Sequence, residues 1–400
     1  MKARTVFLLS LASLIFAAGC RCSAPKESRT TFAADAVMPY IRTGECPGAI
    51  SILYRDGVQE TALLGYADVA NKIPIRTDQL FMQCSQTKGF CGVSIAMLVE
   101  EGKISLDDPV ADYLPEFKEL KVAVKGKDGK TSLLPAKNKL TIRMVMNHTG
   151  GFPFEIPTKR KYGWPSLPLR ATAREAAANP ILFEPGTKTQ YSNTGIDIGA
   201  AIVEVVTGKS WDAFLKERVL DPLGMTSTGF NLSDEQLKNI ICLYGVKAGE
   251  KAKYLEFNKW MPLPHNGPGV FPSAGAGLWT TADDQYKFYK MLMNLGIGDN
   301  GVRILKEETV LKLLAANSRP AGLGSYSLGL GVNNDRGDMA HGGAWGTSAT
   351  VNWKKRHLSL WIVQQTGSAP FRSEWGKAAA KFFAAASDNS TSEAYTGRLK

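Results

Sequence analysis

The stretch that most limits what this chain can fold into is Phe90-Cys91-Gly92-Val93-Ser94-Ile95-Ala96-Met97-Leu98-Val99, which closes at Gly102. Its length and glycine stop read as a helix. A helix that is apolar all round has no face to give to water, and this one is too short to cross a bilayer. It therefore runs through the middle of a domain, and only its first turn can open onto a site. That turn is Phe81-Met82-Gln83-Cys84-Ser85-Gln86-Thr87-Lys88. Ser85 and Lys88 are three residues apart and share a helical face. A serine hydroxyl attacks well only when a base takes its proton, and a desolvated lysine is such a base. Free N–H groups at a helix start suit a developing oxyanion. The plainer reading is a serine cap followed by a solvated lysine. A second copy of the spacing, Ser23-Ala24-Pro25-Lys26, has proline inside a polar stretch and reads as chance. Cys84 is a rival nucleophile, but a buried small residue is the simpler reading.

With 44% hydrophobic and 21% charged residues in 400, the composition is that of a globular protein with a sizeable core. The first residues stand apart. Met1-Lys2-Ala3-Arg4 is basic, Thr5 to Ala18 is apolar, and Ala17-Ala18-Gly19-Cys20 follows. This predicts a signal peptide over residues 1–19. Small residues before Cys20 resemble a bacterial lipoprotein box, although Ala17 stands where leucine is usual. The expectation is an exported, periplasmic or cell-surface lipoprotein, lipidated at Cys20, with a tether over residues 20–35. Simple cleavage and release is the alternative. A folded domain over 36–385 and a polar tail over 386–400 complete the expected organisation.

The net charge of +11 permits anionic partners. Only Lys354-Lys355-Arg356 is clustered, however, so a solvated surface is preferred to a nucleic-acid site. Beyond Cys20 and Cys22, four cysteines remain without a C-x-x-C pair, and no His-x-x-x-His occurs. Neither a metal nor any other cofactor is implied.

Ala49–Tyr54 and Gln59–Tyr66 read as strands around the Asp56-Gly57 turn, after a short helix from Thr31. Strand-like segments recur at Ser325–Val332, Thr347–Trp353 and Leu358–Gln365, and an amphipathic helix over Trp375–Ala386 closes the fold. Lys121–Lys139 is Lys- and Gly-rich and reads as a solvated excursion. The middle is mainly helical, about residues 100–270, with further helices after Thr281 and over Glu307–Ala316. Sheet pieces from both ends around a helical middle predict one α+β fold.

No G-x-S-x-G elbow is present, which disfavours an α/β-hydrolase. A serine–lysine site needs a third group to pass the proton on, and a phenol can do so if nearby ammonium lowers its pKa. Tyr191-Ser192-Asn193 offers that phenol and an amide; its bland reading is a core tyrosine with Asn193 as a helix cap. Ser85-x-x-Lys88, Tyr191-x-Asn193 and His341-Gly342-Gly343, in that order, resemble the three motifs of the serine β-lactamase and penicillin-binding-protein superfamily. The resemblance is closest to its class C-like branch, which includes esterases and D-amino-acid peptidases. Asn147-His148-Thr149-Gly150-Gly151-Phe152-Pro153, Phe183-Glu184-Pro185-Gly186 and Gly275–Asp283 support it. His148 and His265 also begin H-x-G triplets, but only His341 follows the tyrosine motif and precedes a hairpin.

The resemblance implies a β-lactamase/transpeptidase-like fold, an antiparallel sheet flanked by helices with a mainly helical subdomain. It implies that Ser85 forms an acyl-enzyme, that Lys88 and Tyr191 move its proton, and that Asn193 positions Lys88 and substrate. The N–H groups of Ser85 and Ala344 would form the oxyanion hole, with His341 near the substrate's carboxylate or polar end. Gly342 and Gly343 would let a substrate backbone lie close. Histidine where many members have lysine removes a permanent charge and weakens the case for β-lactam turnover. The expectation is a serine hydrolase acting on a small ester or amide. A β-lactamase or D-peptidase acting on a peptidoglycan-type peptide is the second reading, and a penicillin-binding sensor that does not turn over is the third. No separate carboxylate for deacylation is identified.

Overall fold

The computed structural model describes residues 31–156, 168–256, 271–385 and 394–397. The expected signal peptide, Cys20, the tether up to residue 30, His265 and most of the expected tail lie outside these residues.

The principal sheet joins the two ends of the chain. Gly48–Arg55 and Val58–Asp68 form a hairpin whose turn residues, Asp56 and Gly57, have φ of 46° and 89°. Asp-Gly tolerates that pair of left-handed residues, which matches the twist of the strands it connects. His357–Ile362 pairs antiparallel with Gly48–Arg55, from Ile50 opposite Ile362 to Arg55 opposite His357. Ser348–Asn352, Asp338–Gly342 and Gly331–Asn333 continue the sheet outward, all antiparallel. Neither end of the chain alone supplies this sheet, as the sequence suggested. At the opposite edge Ala394–Gly397 pairs parallel with Val58–Asp68, so part of the segment expected to be a polar tail is a strand.

Alternation gives the central strand two buried faces. Ile50 and Ile52 face one core cluster, whereas Ala49 and Leu53 face another. On the second face pack the helices Phe32–Thr43 and Phe371–Ala384. The first begins ahead of the expected boundary at residue 36. Thr31 Oγ1 accepts the Ala34 N–H at 3.0 Å, and Gly44, at φ 80°, closes the other end. Trp375 donates its indole N–H to Ser51 Oγ at 2.8 Å, satisfying the polar group each would otherwise bury.

Against the first face lies the apolar helix, Thr87–Glu100, buried continuously from Thr87 to Leu98. The helices Asn193–Thr207 and Ala282–Met293 share its core. A side chain at Gly92 would sit 1.8 Å from the Leu328 carbonyl oxygen, so the helix tolerates only glycine there. The expected strand over Ser325–Val332 is confined to its end, Gly331–Asn333. Ser327 N–H bonds Leu330 O at 2.8 Å, and Gly329 turns at φ 76° where a Cβ would lie 2.2 Å from Lys88 O. That close turn precludes an extended run.

The middle of the chain is mainly helical. Its exceptions among the described residues include the strands Leu243–Val246 and Lys253–Leu255, which pair with each other, and a two-stranded hairpin, Lys121–Lys125 with Thr131–Pro135, in the segment expected to be a solvated excursion. The helix expected over Glu307–Ala316 is a short α-turn, Glu307–Thr309, that widens into a π-turn at Val310–Leu314. Among the described residues no helix is long and apolar enough to cross a membrane.

Candidate active site

Ser85 sits in a one-turn 3-10 helix, Cys84–Gln86, directly ahead of the buried helix. Cys84 has φ 50°, a left-handed conformation that a side chain rarely adopts and that marks a strained turn. Thr87 fixes it, donating from Oγ1 to Cys84 O at 2.7 Å and accepting Leu278 N–H at 3.2 Å. Cys84 itself is buried, which pushes its thiol up to about 12, so it holds its proton at neutral pH.

Lys88 follows on the same face with no exposed surface. Its Nζ lies 3.2 Å from Ser85 Oγ, 2.6 Å from Asn193 Oδ1 and 2.6 Å from Gly275 O. Two of these partners can only accept, so they take two N–H groups. The third position of Nζ faces the serine hydroxyl, as an N–H in the ammonium or as the lone pair in the amine. The bland reading of a solvated lysine does not describe this residue.

The second motif arrives at the start of the helix Asn193–Thr207. Ser192 caps it, accepting Gly195 N–H at 3.0 Å and donating to Pro153 O at 2.6 Å. The cap is therefore not Asn193, whose amide turns instead to Lys88 and Glu155. Its Nδ2 donates to Glu155 Oε1 at 2.7 Å, which orients Oδ1 toward Lys88. Tyr191, 37% exposed, places its ring 4.5 Å from Lys88 Nζ, and its hydroxyl is hydrogen-bonded to Ser85. Burial raises this phenol to about 12, and the bond from Ser85 offsets only part of the rise. A phenol lowered by ammonium, as the sequence suggested, is not what the geometry gives, because desolvation outweighs any opposing effect.

The third motif closes the cleft. His341 is the penultimate residue of the strand Asp338–Gly342, with its ring centroid 6.3 Å from that of Tyr191. Its Nδ1 lies 2.7 Å from Gly342 O and its Nε2 2.9 Å from the Tyr326 hydroxyl. A carbonyl can only accept, so Nδ1 carries the proton and Nε2 accepts from Tyr326. Burial, then the charge of Lys88, pushes the imidazole down to about 3. It is neutral with both nitrogens occupied, which leaves no cation at this position. His148, expected to be structural, packs between Tyr191 and Tyr326 with ring centroids 4.6 and 4.7 Å away. Its Nδ1 accepts Ser192 N–H at 3.3 Å, and burial holds it well below the usual histidine range.

The glycines after His341 differ. A Cβ at Gly343 would lie 2.1 Å from Thr347 Oγ1 and 2.5 Å from Gln83 O, so that glycine lets the chain approach itself. At Gly342 the nearest neighbours are 3.5 Å or more away. Gln86 Nε2 donates to His341 O at 3.2 Å, and the amides of Ala344 and Trp345 lie against the Cys84 sulfur. These contacts bring Ala344 alongside the Ser85 turn.

Sequence reasoning missed the layer behind these residues. Asp197 is buried and accepts from Gly275 N–H and Ser273 Oγ, each at 3.1 Å, holding the bend whose carbonyl meets Lys88. A side chain at Gly275 would lie 2.6 Å from Asn193 Cβ, which explains that glycine. The signal for Asp197 was available, since an acid inside the apolar run Gly195–Val206 requires buried partners. Glu155 and Tyr326 carried no such signal. Among the described residues no cluster suited to a metal ion occurs.

In this geometry Lys88 stands within hydrogen-bond reach of the serine hydroxyl. The sequence profile of the Beta-lactamase family matches residues 33–382. Protein Rv1367c of Mycobacterium tuberculosis (strain ATCC 25618 / H37Rv) is 31% identical over 278 residues, 67% of each chain. Esterase EstB of Burkholderia gladioli is 29% identical over 266 residues, covering 61% of this chain and 65% of EstB. Among solved structures, EstCE1, described as a hydrolase with promiscuous acyltransferase activity, superposes with a TM-score of 0.70 at 22% identity, over 87% of this chain and 97% of EstCE1. With its fold, its converging motifs and a profile match along most of its length, the chain belongs to the Beta-lactamase family and is a serine hydrolase.

Proposed function

We propose that the protein hydrolyses uncharged carboxylic esters through an acyl-enzyme on Ser85. The observation that carries this reading is the three-way seat of Lys88 Nζ on Ser85 Oγ, Asn193 Oδ1 and Gly275 O. As the amine, Lys88 presents its lone pair to the hydroxyl, takes the proton, and Ser85 Oγ adds to the ester carbonyl. The family resemblance assigns the oxyanion to the backbone N–H groups of Ser85 and Ala344. Tyr191, kept protonated by burial, gives its proton to the departing alkoxide and is reprotonated from Lys88, leaving the acyl-enzyme and free alcohol. Water then attacks the acyl carbon by the reverse relay, giving its proton to Lys88 through Tyr191, and Ser85 is restored as the acid leaves.

His341, being neutral, brings no charge of its own to a substrate carboxylate, which supports an uncharged substrate. Phe154, 43% exposed and stacked on Tyr191 at 6.1 Å, gives the cleft an apolar wall for an acyl or aryl group. The esterase relative EstB agrees with this choice. We further propose export by residues 1–19 and lipidation of Cys20, supported by the sequence alone.

The test uses the chain from Ser23 onward, which holds every described element, with a p-nitrophenyl ester, a chromogenic cephalosporin and a fluorescent penicillin. Ester turnover that disappears in Ser85→Ala is expected. Turnover surviving that change would sink the mechanism. Cephalosporin turnover faster than ester turnover would favour a β-lactamase, and penicillin labelling without turnover a slow D-peptidase or sensor.

A further inference from the structure

The hairpin Lys121–Lys125/Thr131–Pro135 stands outside the catalytic machinery and combines two surfaces that globular proteins usually keep apart. Its strands present Val124, Leu133 and Leu134, 40%, 52% and 47% exposed. Cross-strand pairing puts Leu134 on the face of Val122 and Leu133 on the face of Ala123, so apolar side chains emerge on both sides of the arm. At its tip, Gly126-Lys127-Asp128-Gly129-Lys130, the lysines Lys125, Lys127 and Lys130 are exposed. At its base a groove of about 500 Å³ has a floor including Phe117, Leu120 and Leu140 and a rim of Lys118, Lys121, Lys137 and Lys139. Against these lysines stand Asp112 in the groove wall, Glu119, Asp128 and Glu184, whose carboxylate accepts the Lys137 backbone N–H at 2.9 Å, so the lysines remain in excess. Seven lysines of this segment are thus gathered on one projection.

Neither feature alone names a ligand; together they do. A soluble polyanion would complement the lysines and leave the leucines in water. An aqueous surface would suit the lysines and not a pair of adjacent exposed leucines. The interface of an anionic bilayer matches both, because headgroups attract the lysines while apolar side chains enter the acyl boundary. We propose that this hairpin docks the protein on membranes rich in anionic phospholipid. The docking surface is independent of Cys20, so it would hold the enzyme at a bilayer with or without a covalent lipid.

The experiment is vesicle co-sedimentation of the unlipidated chain from Ser23 onward. Phosphatidylglycerol/phosphatidylcholine vesicles are compared with phosphatidylcholine alone, at low and high salt. Expected is sedimentation with the anionic vesicles only, weakened by salt. Lys125→Gln/Lys127→Gln/Lys130→Gln should reduce the partition coefficient at least about tenfold. Leu133→Ser/Leu134→Ser should reduce it by a comparable factor. Far-UV circular dichroism and thermal melting of both variants should match the parent. Equal sedimentation with neutral vesicles, no sedimentation at all, or unchanged binding by either variant would overturn the proposal. So would retention on a soluble polyanion that equals vesicle binding and ignores the leucine change, which would make the arm a simple polyanion site.

Discussion

Lys88 and the lysines of the hairpin carry one side chain into opposite surroundings. Lys88 has no exposed surface and meets a hydroxyl, an amide oxygen and a backbone carbonyl, whereas Lys125, Lys127 and Lys130 stand in water. In the first case local geometry decides what the nitrogen does, because each position around it is assigned and proton transfer follows from alignment. In the second the charge acts at a distance and is screened by salt. Residue type is common to both; chemistry comes from the partners.

The comparison breaks most sharply at the base. Lys88→Met should lower kcat/KM for a p-nitrophenyl ester by about 10³-fold or more, since the serine then has no proton acceptor. Changing Lys125, Lys127 and Lys130 together to Gln should leave turnover of a soluble ester unchanged. Equal losses from both sets would abolish the distinction. Folding energetics show the same contrast. Phe90→Ala, in the buried helix and stacked on Phe288 with centroids 3.6 Å apart, should cost about 3–5 kcal/mol in denaturant unfolding. Leu133→Ala on the arm should stay within about 0.5 kcal/mol.

The first two motifs were legible in the sequence because their residues must be hydroxyl, amine, phenol and amide, and each is short. The Asp-Gly turn was legible because few pairs accept its two left-handed positions. What supports those motifs was not legible. Gly275 O reaches Lys88 across 187 residues and Glu155 reaches Asn193 across 38, and no local pattern announces such pairs. The excursion over Lys121–Lys139 is solvated as expected, but its strands were not legible, because glycine and lysine lower strand propensity while pairing of Val122, edge to edge with Ile181, overrides it. His341 was read as a polar contact for substrate, because nothing in its motif tells that Tyr326 occupies its free nitrogen.

Smaller effects sharpen the picture of how Lys88 is held. Asn193→Ala removes one of its two fixed acceptors and should lower kcat/KM by about 10²-fold. Glu155→Gln keeps a group able to accept from Asn193 but loses a negative charge near Lys88. Turnover should fall only a few-fold, about 1 kcal/mol or less. A fall as large as that of Asn193→Ala would contradict this.

The neutral imidazole of His341 is read in stability rather than in rate. Its folded pKa is about 3 against an ordinary 6.5, so the unfolded chain binds the extra proton between those values. Stability from this group is therefore complete above about pH 6.5 and is lost as pH falls toward 3. The Tm of the parent should decline on acidification from pH 7 to pH 5 more steeply than that of His341→Gln. Parallel declines would show that His341 is not held neutral.

The central claim is a covalent acyl-enzyme on Ser85 formed with Lys88 as the base. Rapid acid quenching during turnover of an aryl ester, followed by intact-mass analysis and peptide mapping, tests it most directly. The expected result is one added acyl group on the peptide containing Ser85, absent from Ser85→Ala and strongly reduced in Lys88→Met. An adduct on another residue, or turnover with no acyl adduct and no loss in Ser85→Ala, would contradict it.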